Sequence, residues 1–126
     1  MTERKKYKIL VAEDNPINIK VSAFVLKPIA DVIDIAQNGA EVLEKLKNNT
    51  YDVILMDVKM PIMDGYEATI KIRKMEANNQ IEKPMVIIAT TANSQPEEVE
   101  KCKSIGMNDL VVKPFSINDI LAIIEH

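Results

Sequence analysis

The fold of this chain is decided by residues 53–65, which read VILMDVKMPIMDG. An apolar run precedes Asp57, a loop follows, and Asp64 stands before Gly65 with Glu67 three positions after the aspartate. A short continuous apolar run suits a parallel strand that is buried on both faces. An Asp followed three positions later by Glu is typical of the beginning of a helix. The segment therefore predicts a strand, a loop and a helix, with Gly65 at the tight turn into that helix.

The same unit recurs along the chain. We predict strands at 8–13, 32–36, 53–57, 85–90 and 110–113, because these are apolar runs of strand length. Further helices are predicted to begin at Asn38, Ser94 and Ser116, each followed three positions later by an acid. The first helix is predicted to begin at Asn15 and Pro16 and to end near Pro28. Strand and helix units in succession predict a doubly wound α/β fold, with a five-stranded parallel sheet covered by helices on both faces.

Composition limits the kind of protein this can be. The chain has 126 residues, 47% hydrophobic and 28% charged, which is typical of one soluble domain, here 1–126. No apolar run could span a membrane and no secretory leader is visible, so we expect a cytoplasmic protein without direct membrane contact. The net charge of -3 argues against a nucleic-acid partner. The lone Cys102 agrees with a reducing compartment and is predicted to face the core.

Polar side chains stand at the ends of the predicted strands, where ligands bind in open parallel sheets. The first strand ends in Glu13 and Asp14, the third in Asp57, the fourth in Thr91 and the fifth in Lys113. Carboxylates held close together repel one another, so positive charge must accompany them. A magnesium ion meets that need, because it uses few protein carboxylates and leaves positions for water and phosphate oxygens. With the ammonium and the hydroxyl added, the set predicts a socket for a phosphoryl group.

These residues also carry a family resemblance. Residues 13–15, 56–65, 91–93 and 113–115 resemble, in order, the motifs of response-regulator receiver domains of two-component phosphorelays. The resemblance runs from about Ile9 to the end of the sequence. It implies the flavodoxin-like three-layer sandwich with strand order 2-1-3-4-5.

The resemblance implies a role for each site residue. Asp57 is similar to the phosphoacceptor, and the metal set that it implies for Mg²⁺ consists of Glu13, Asp14, Asp57 and the backbone carbonyl of Lys59. Within that set Asp14 is expected to bind directly and Glu13 largely through water. Thr91 resembles a switch hydroxyl that moves onto the phosphoryl group, and Lys113 resembles the ammonium that pairs with it. The peptide bond before Pro114 is usually cis in this family.

The implied function is signalling rather than enzymatic catalysis on a separate substrate. A histidine kinase or a histidine phosphotransfer protein would donate the phosphoryl group from a phosphohistidine to Asp57, and switching and slow dephosphorylation would follow. Residues 13–18 are most similar to receivers of hybrid sensor histidine kinases, so the chain is either a stand-alone receiver or part of a longer protein. Ile17 is a candidate apolar anchor for the partner, with Asn15, Asn18 and Lys20 around it, and burial in the core is the alternative.

One position departs from the family pattern. Three residues before Lys113, where many receivers have a Tyr or Phe that swings inward with the switch threonine, this chain has Leu110. The departure puts the aromatic switch in doubt. It leaves the acceptance of a phosphoryl group untouched, because that chemistry does not use the ring.

Three other functions agree less well with the sequence. A flavin-binding protein of this fold needs a first loop rich in Ser, Thr or Gly, whereas residues 13–16 read EDNP and would repel a phosphate. Phosphatases with an aspartyl nucleophile resemble one another in a second acid two positions later, where this chain has Lys59. An inactive receiver typically lacks part of the acid set, and this sequence has all of it.

Overall fold

The computed structural model describes residues 5–81 and 83–125. Its strands are Tyr7–Ala12 (β1), Ala30–Ala36 (β2), Val53–Asp57 (β3), Val86–Thr91 (β4) and Asp109–Val112 (β5). Its α-helices are Pro16–Leu26 (α1), Gly39–Leu46 (α2), Gly65–Ala77 (α3), Pro96–Ile105 (α4) and Ile117–Ile124 (α5), and a 3-10 turn, Lys27–Ile29, follows α1. None of these helices is both long and apolar enough to cross a membrane. The predicted range 1–126 includes residues 1–4, 82 and 126, which lie outside the described residues.

All strands run parallel in the order β2-β1-β3-β4-β5, so the predicted fold class and strand order are confirmed. The central strand β3 is buried along its whole length, and its Leu55 pairs with Val11 on one side and Ile88 on the other. The direction of winding changes between β1 and β3, and sheets of this kind leave a crevice at the carboxyl ends of those strands. Asp57 is the last residue of β3 and therefore stands at that crevice.

Alternate residues of the strands fill two separate cores. Ile54 and Ile87 pack on the face covered by α2, α3 and α4, together with Cys102, whose predicted core position is confirmed. Leu55 and Ile88 pack on the face covered by α1 and α5. Truncating one of the fully buried side chains to Ala costs about 2–5 kcal/mol, because apolar contacts are lost and a cavity is left. The sheet is thus a rigid support for the residues at its carboxyl edge.

Most predicted helix beginnings are confirmed. The side chains of Asn15, Asn38, Asp64 and Ser116 each accept a hydrogen bond from a backbone N–H of the first helical turn. The prediction for Ser94 is wrong. Helix α4 begins at Pro96, which occupies the first helical position, and Gln95 before it is extended, as residues preceding proline usually are.

Strand boundaries differ from the predictions by one or two residues. Strands β1 and β2 begin earlier, at Tyr7 and Ala30, because these two residues pair across an irregularity in the ladder. Strand β4 begins and ends one residue later than predicted, at Val86 and Thr91. Glu13 and Lys113 lie just beyond the ends of β1 and β5 rather than inside them. Both residues are therefore part of the loops that surround the crevice.

Candidate functional site

Three carboxylates meet at the carboxyl ends of β1 and β3. Glu13 and Asp14 follow β1 directly. One carboxylate oxygen from each of Glu13, Asp14 and Asp57 lies within 4.8 Å of the corresponding oxygens of the other two. Glu13 and Asp57 are buried, whereas Asp14 is exposed. The backbone N–H of Asn15 donates to Glu13 Oε2 at 3.1 Å, which holds that carboxylate at the start of α1. The structure therefore brings the predicted acids together on one side of the crevice.

Lys113 reaches the same acids from the opposite side. Its ammonium nitrogen donates to Asp57 Oδ2 at 3.1 Å and to Glu13 Oε1 at 3.2 Å. The backbone N–H of Lys113 donates to the carbonyl oxygen of Thr91 at 2.7 Å, which ties the loop after β5 to the end of β4. The peptide bond between Lys113 and Pro114 is cis. Lys113 thus supplies a positive charge shared by two buried carboxylates.

The charges in this cluster shift the pKa values of two of its members. Burial by itself would lower the pKa of Lys113, but the hydrogen bonds and charges of Asp57 and Glu13 outweigh burial and raise it. Burial raises the pKa of Glu13, and the negative charge of Asp57 adds to that increase. The hydrogen bond from Asn15 and the presence of Lys113 only partly oppose the shift of Glu13. Lys113 is therefore firmly protonated, while the ionised form of Glu13 is disfavoured.

The backbone around Asp57 is held by short-range contacts. The N–H of Lys59 donates to Asp57 Oδ1 at 3.2 Å, and the N–H of Val58 donates to the carbonyl oxygen of Thr90 at 3.2 Å. Gly65 packs directly on this strand end, since a Cβ added there would overlap the carbonyl oxygen of Asp57. The sequence predicts a turn at this glycine, and the structure shows that close approach to the strand is what excludes a side chain.

A cleft opens above Asp57. It is lined by Asp57, Val58, Lys59, Thr91, Ala92, Asn93, Glu98 and Lys113. Thr91 is buried at the end of β4, and its hydroxyl oxygen accepts a hydrogen bond from the N–H of Asn93 at 3.2 Å. The cleft brings together the predicted carboxylate, hydroxyl and ammonium, and a phosphoryl group placed in it would meet all of them.

Sequence reasoning missed Glu98, which lines the cleft from α4, and Tyr66, whose hydroxyl donates to the Glu98 carboxylate. The sequence places both residues near the beginning of a helix, but it contains no signal for the rotation of α4 about its axis. That rotation depends on how α4 packs on α3 and the sheet. The contact could therefore be found only in the folded molecule.

Apolar side chains are exposed beside the crevice. Ile17, Val21 and Phe24 are 72%, 43% and 80% exposed and are spaced as one stripe along α1, while Leu26 faces the core. Ile17 therefore lies on the surface and is not buried in the core. The spacing of the α1 residues is visible in the sequence, but their exposure is not.

Ile62, in the loop after β3, is a further exposed apolar residue. It is 84% exposed and has a φ of 69°, which is unusual for a β-branched residue.

Leu110 is the residue at which the sequence departs from the family pattern. It lies in β5, is partly buried, and packs against the core formed with α2, α3 and α4. An aliphatic side chain there fills space without offering a hydroxyl or an edge for hydrogen bonding.

The comparisons with known proteins identify the family. The family model described as the response regulator receiver domain matches residues 9–125. The chain is 47% identical over 121 residues to hybrid signal transduction histidine kinase B of Dictyostelium discoideum, covering 90% of this chain and 6% of that protein. It is 39% identical over 122 residues to the peroxide stress-activated histidine kinase mak1 of Schizosaccharomyces pombe, covering 94% of this chain and 7% of that protein. The chain thus spans less than a tenth of either relative.

Solved structures agree with this assignment. The receiver domain of a Pseudomonas aeruginosa sensor histidine kinase, with a magnesium ion coordinated in its active site cleft, is 34% identical with a TM-score of 0.80 and covers 95% of both chains. A chain from the co-crystal structure of the Saccharomyces cerevisiae phosphotransfer protein Ypd1 and the receiver domain of Ssk1 is 29% identical, with a TM-score of 0.85 and coverage of 94% and 86%. As the sequence motifs predict, the chain belongs to the family of response regulator receiver domains of two-component phosphorelay signalling.

Proposed function

We propose that this chain accepts a phosphoryl group on the carboxylate of Asp57. One observation carries the proposal: Asp57 is buried at the end of the central strand, lines an open cleft, and has the Lys113 ammonium 3.1 Å from Oδ2. The ammonium offsets negative charge beside this carboxylate, and a carboxylate is the nucleophile in transfer through an aspartyl phosphate. Membership of the receiver family supports the same role.

The donor set fits a magnesium ion. Glu13, Asp14 and Asp57 present hard oxygen atoms within 4.8 Å of one another, and Asp14 is open to solvent. We assign Asp14 and Asp57 to the ion directly, Glu13 largely through water, and the backbone carbonyl of Lys59 as a further ligand. When bound, Mg²⁺ supplies positive charge that offsets the phosphoryl oxygens during transfer. The magnesium in the cleft of the P. aeruginosa receiver supports this assignment.

In the proposed transfer, a carboxylate oxygen of Asp57 forms a bond to phosphorus while the bond from phosphorus to the imidazole nitrogen of a phosphohistidine breaks. The imidazole leaves with the electron pair of that bond. Lys113 then donates a hydrogen bond to a phosphoryl oxygen, in place of part of its contact with the free carboxylate. Thr91 can donate its hydroxyl hydrogen to another oxygen, since that hydroxyl lines the same cleft.

The phosphoryl group would act by shifting a conformational equilibrium and would be lost slowly. Contacts of Thr91 that exist only in the phosphorylated state can bias that equilibrium. Two positions after Asp57 stands the exposed Lys59 rather than a second acid, so no carboxyl group is placed there to assist hydrolysis. We therefore regard the chain as a signalling domain that assists its own phosphorylation and dephosphorylation, not as an enzyme with a separate substrate.

The donor in this proposal is a histidine kinase or a histidine phosphotransfer protein. An imidazole phosphate must approach Asp57 from above the sheet, and the exposed stripe Ile17, Val21 and Phe24 lies on the helix that begins beside Asp14. An apolar stripe with a polar edge suits a partner helix. The co-crystal structure of the histidine phosphotransfer protein Ypd1 with the Ssk1 receiver domain supports a partner of that class.

The remaining assignments follow from the same proposal. We regard 1–126 as one receiver domain, cytoplasmic as a stand-alone protein or as the cytoplasmic part of a hybrid kinase. A net charge of -3 gives no reason to propose a nucleic-acid partner, and the proposed partners need no direct membrane contact.

The proposal is tested by the substitution Asp57→Asn. After incubation with acetyl phosphate and magnesium, the wild type should gain one phosphoryl group in intact-mass spectrometry, hydroxylamine should remove it, and the variant should gain none. Asp52→Asn is the matched control, because Asp52 accepts a hydrogen bond from the N–H of Lys8 at the opposite end of the sheet. An Asp57→Asn protein that gains a phosphoryl group to the same extent as the wild type would end the assignment.

A further inference from the structure

One wall of the cleft above Asp57 carries a negative charge that the proposed transfer does not use. Glu98 is the α4 residue that lines the cleft, and its side chain is only partly exposed. A phosphoryl group on Asp57 adds close to two negative charges to the same space. The charge of Glu98 therefore repels the phosphoryl group of the phosphorylated protein. The strength of this repulsion depends on where the Glu98 carboxylate lies.

That carboxylate is held by a residue of another helix. The hydroxyl of Tyr66, in the first turn of α3, donates a hydrogen bond to Glu98 Oε1. The Lys101 ammonium lies 4.2 Å from the centre of the Tyr66 ring, and Glu98, Lys101 and Cys102 follow one another at helical spacing on the same face of α4. The ring therefore packs beside one face of α4.

Tyr66 is well suited to act as a fixed donor. Its ring is partly buried against the core beneath α3 and α4, so it cannot follow Glu98 if that side chain moves outward. Burial and the hydrogen bond to Glu98 both raise the pKa of Tyr66, so the hydroxyl keeps its hydrogen at neutral pH. The direction of the hydrogen bond is therefore constant.

We propose that Tyr66 is a positioning residue whose hydroxyl holds the Glu98 carboxylate at the wall of the cleft, where its charge opposes a phosphoryl group on Asp57. This inference rests on the proposed function. The contact between Tyr66 and Glu98 makes binding of a phosphoryl group at Asp57 less favourable. Because a coupling free energy is the same in both directions, a phosphoryl group on Asp57 makes that contact less favourable by the same free energy. Phosphorylation of Asp57 would thereby weaken a contact between α3 and α4.

The experiment measures the affinity of the metal-loaded protein for beryllofluoride, a phosphoryl mimic, by NMR titration. Glu98→Gln should bind about two- to fivefold more tightly than the wild type, which is the range for a partly exposed charge interaction. Tyr66→Phe keeps the ring but removes the hydroxyl, and should tighten binding in the same direction. The double variant should bind no more tightly than Glu98→Gln, because both changes act through one carboxylate.

Two matched controls separate this effect from general ones. Glu97→Gln removes an equal charge from the neighbouring, exposed position of α4. Tyr51→Phe removes a similar hydrogen bond, 2.6 Å long, from the Tyr51 hydroxyl to Asp34, far from the cleft. Both control variants should bind the mimic as the wild type does. The advantage of Glu98→Gln over Glu97→Gln should also shrink at about 1 M salt, where charges are screened within about 3 Å.

A measurement on the wild type avoids any question of folding. The ring carbon resonances of Tyr66 should move on addition of beryllofluoride, while those of Tyr51 should not. Unchanged affinity in Glu98→Gln, or unchanged or weaker binding in Tyr66→Phe, would overturn the positioning role while the wild type still binds the mimic. If the wild type does not bind the mimic at all, the proposed function fails and this inference fails with it.

Discussion

The ammonium nitrogen of Lys113 lies 3.1 Å from Asp57 Oδ2, although 56 positions separate the two residues in the chain. Lys113 is 22% exposed and Asp57 is 7% exposed, so the pair is shielded from most of the solvent. Glu13 accepts a second hydrogen bond from the same ammonium. The stability of the unphosphorylated protein should therefore depend on Lys113.

Replacing Lys113 by Met should lower the free energy of unfolding by about 1–3 kcal/mol, because two buried carboxylates lose their cationic partner. The matched control is Lys47→Met, since the ion pair of Lys47 with Glu44 is 65% and 70% exposed. Exposed pairs contribute about 0–1 kcal/mol. Urea unfolding measures the free energy of unfolding of both variants. Equal losses in the two variants would show that the buried ion pair stabilises the protein no more than the exposed one.

The pH dependence of stability should reveal Glu13. Because the pKa of Glu13 is raised in the folded state above its ordinary value of 4.5, the folded state binds this proton more tightly than the unfolded state. The contribution of Glu13 to the free energy of unfolding is fully present below pH 4.5. It is lost as the pH rises through the pKa that Glu13 has in the folded state. Glu13→Gln imitates the neutral form and should lose nothing over that range.

In metal-free buffer with EDTA, the stability of Glu13→Gln relative to the wild type should therefore increase between about pH 4 and about pH 7. Urea unfolding at several pH values gives the difference directly, and carboxylates that do not interact with Glu13 cancel in the comparison. A difference that is constant with pH would contradict a raised pKa of Glu13.

Magnesium should raise the melting temperature, because it would bind the folded site and not the unfolded chain. At a magnesium concentration about 100 times the Kd, the stabilisation is about 2.7 kcal/mol. Asp14→Asn should stabilise the metal-free protein, by removing one of three neighbouring acids, and should weaken the magnesium effect. Asp31→Asn, at an exposed position of β2, is the control and should respond to magnesium as the wild type does. A melting curve indifferent to millimolar magnesium would count against the metal site.

The replacement of the usual aromatic residue by Leu110 should limit the conformational response. Thr91 can form a new contact with a phosphoryl group, but Leu110 has no ring to bring inward with it. When a phosphoryl mimic binds, we expect smaller chemical-shift changes on the face formed by α4, β5 and α5 than in receivers with an aromatic residue there, and smaller changes than near Asp57. Changes of equal size at both places would contradict this expectation.

The apolar stripe of α1 should matter for a protein donor and not for a small one. Ile17→Glu places a charge at a 72% exposed position, so it should slow transfer from a phosphohistidine protein and leave phosphorylation by acetyl phosphate nearly unchanged. Ile70→Glu is the matched control, because Ile70 is 40% exposed on α3, across the sheet from α1. If Ile17→Glu slows both donors equally, the fold or the site is damaged and the docking role loses its support.

The amino-acid sequence was sufficient to predict the order of the elements and the residues at the strand ends. The run before Asp57 predicted a buried parallel strand, because it is short, apolar and without alternation. Asn38, Asp64 and Ser116 marked helix beginnings because capping is a local interaction within a few residues. Ser94 failed as a marker because the competing Pro96 fixed the helix start closer to itself.

The contacts between these residues, and their exposure to solvent, could be read only from the folded molecule. Glu98 meets Tyr66 across 32 positions of sequence, and Ile17 faces outward although it is as apolar as the core residues. Such relationships depend on how each helix is rotated and seated on the sheet. Packing of side chains from distant parts of the chain sets that rotation, and no local pattern in the sequence encodes it.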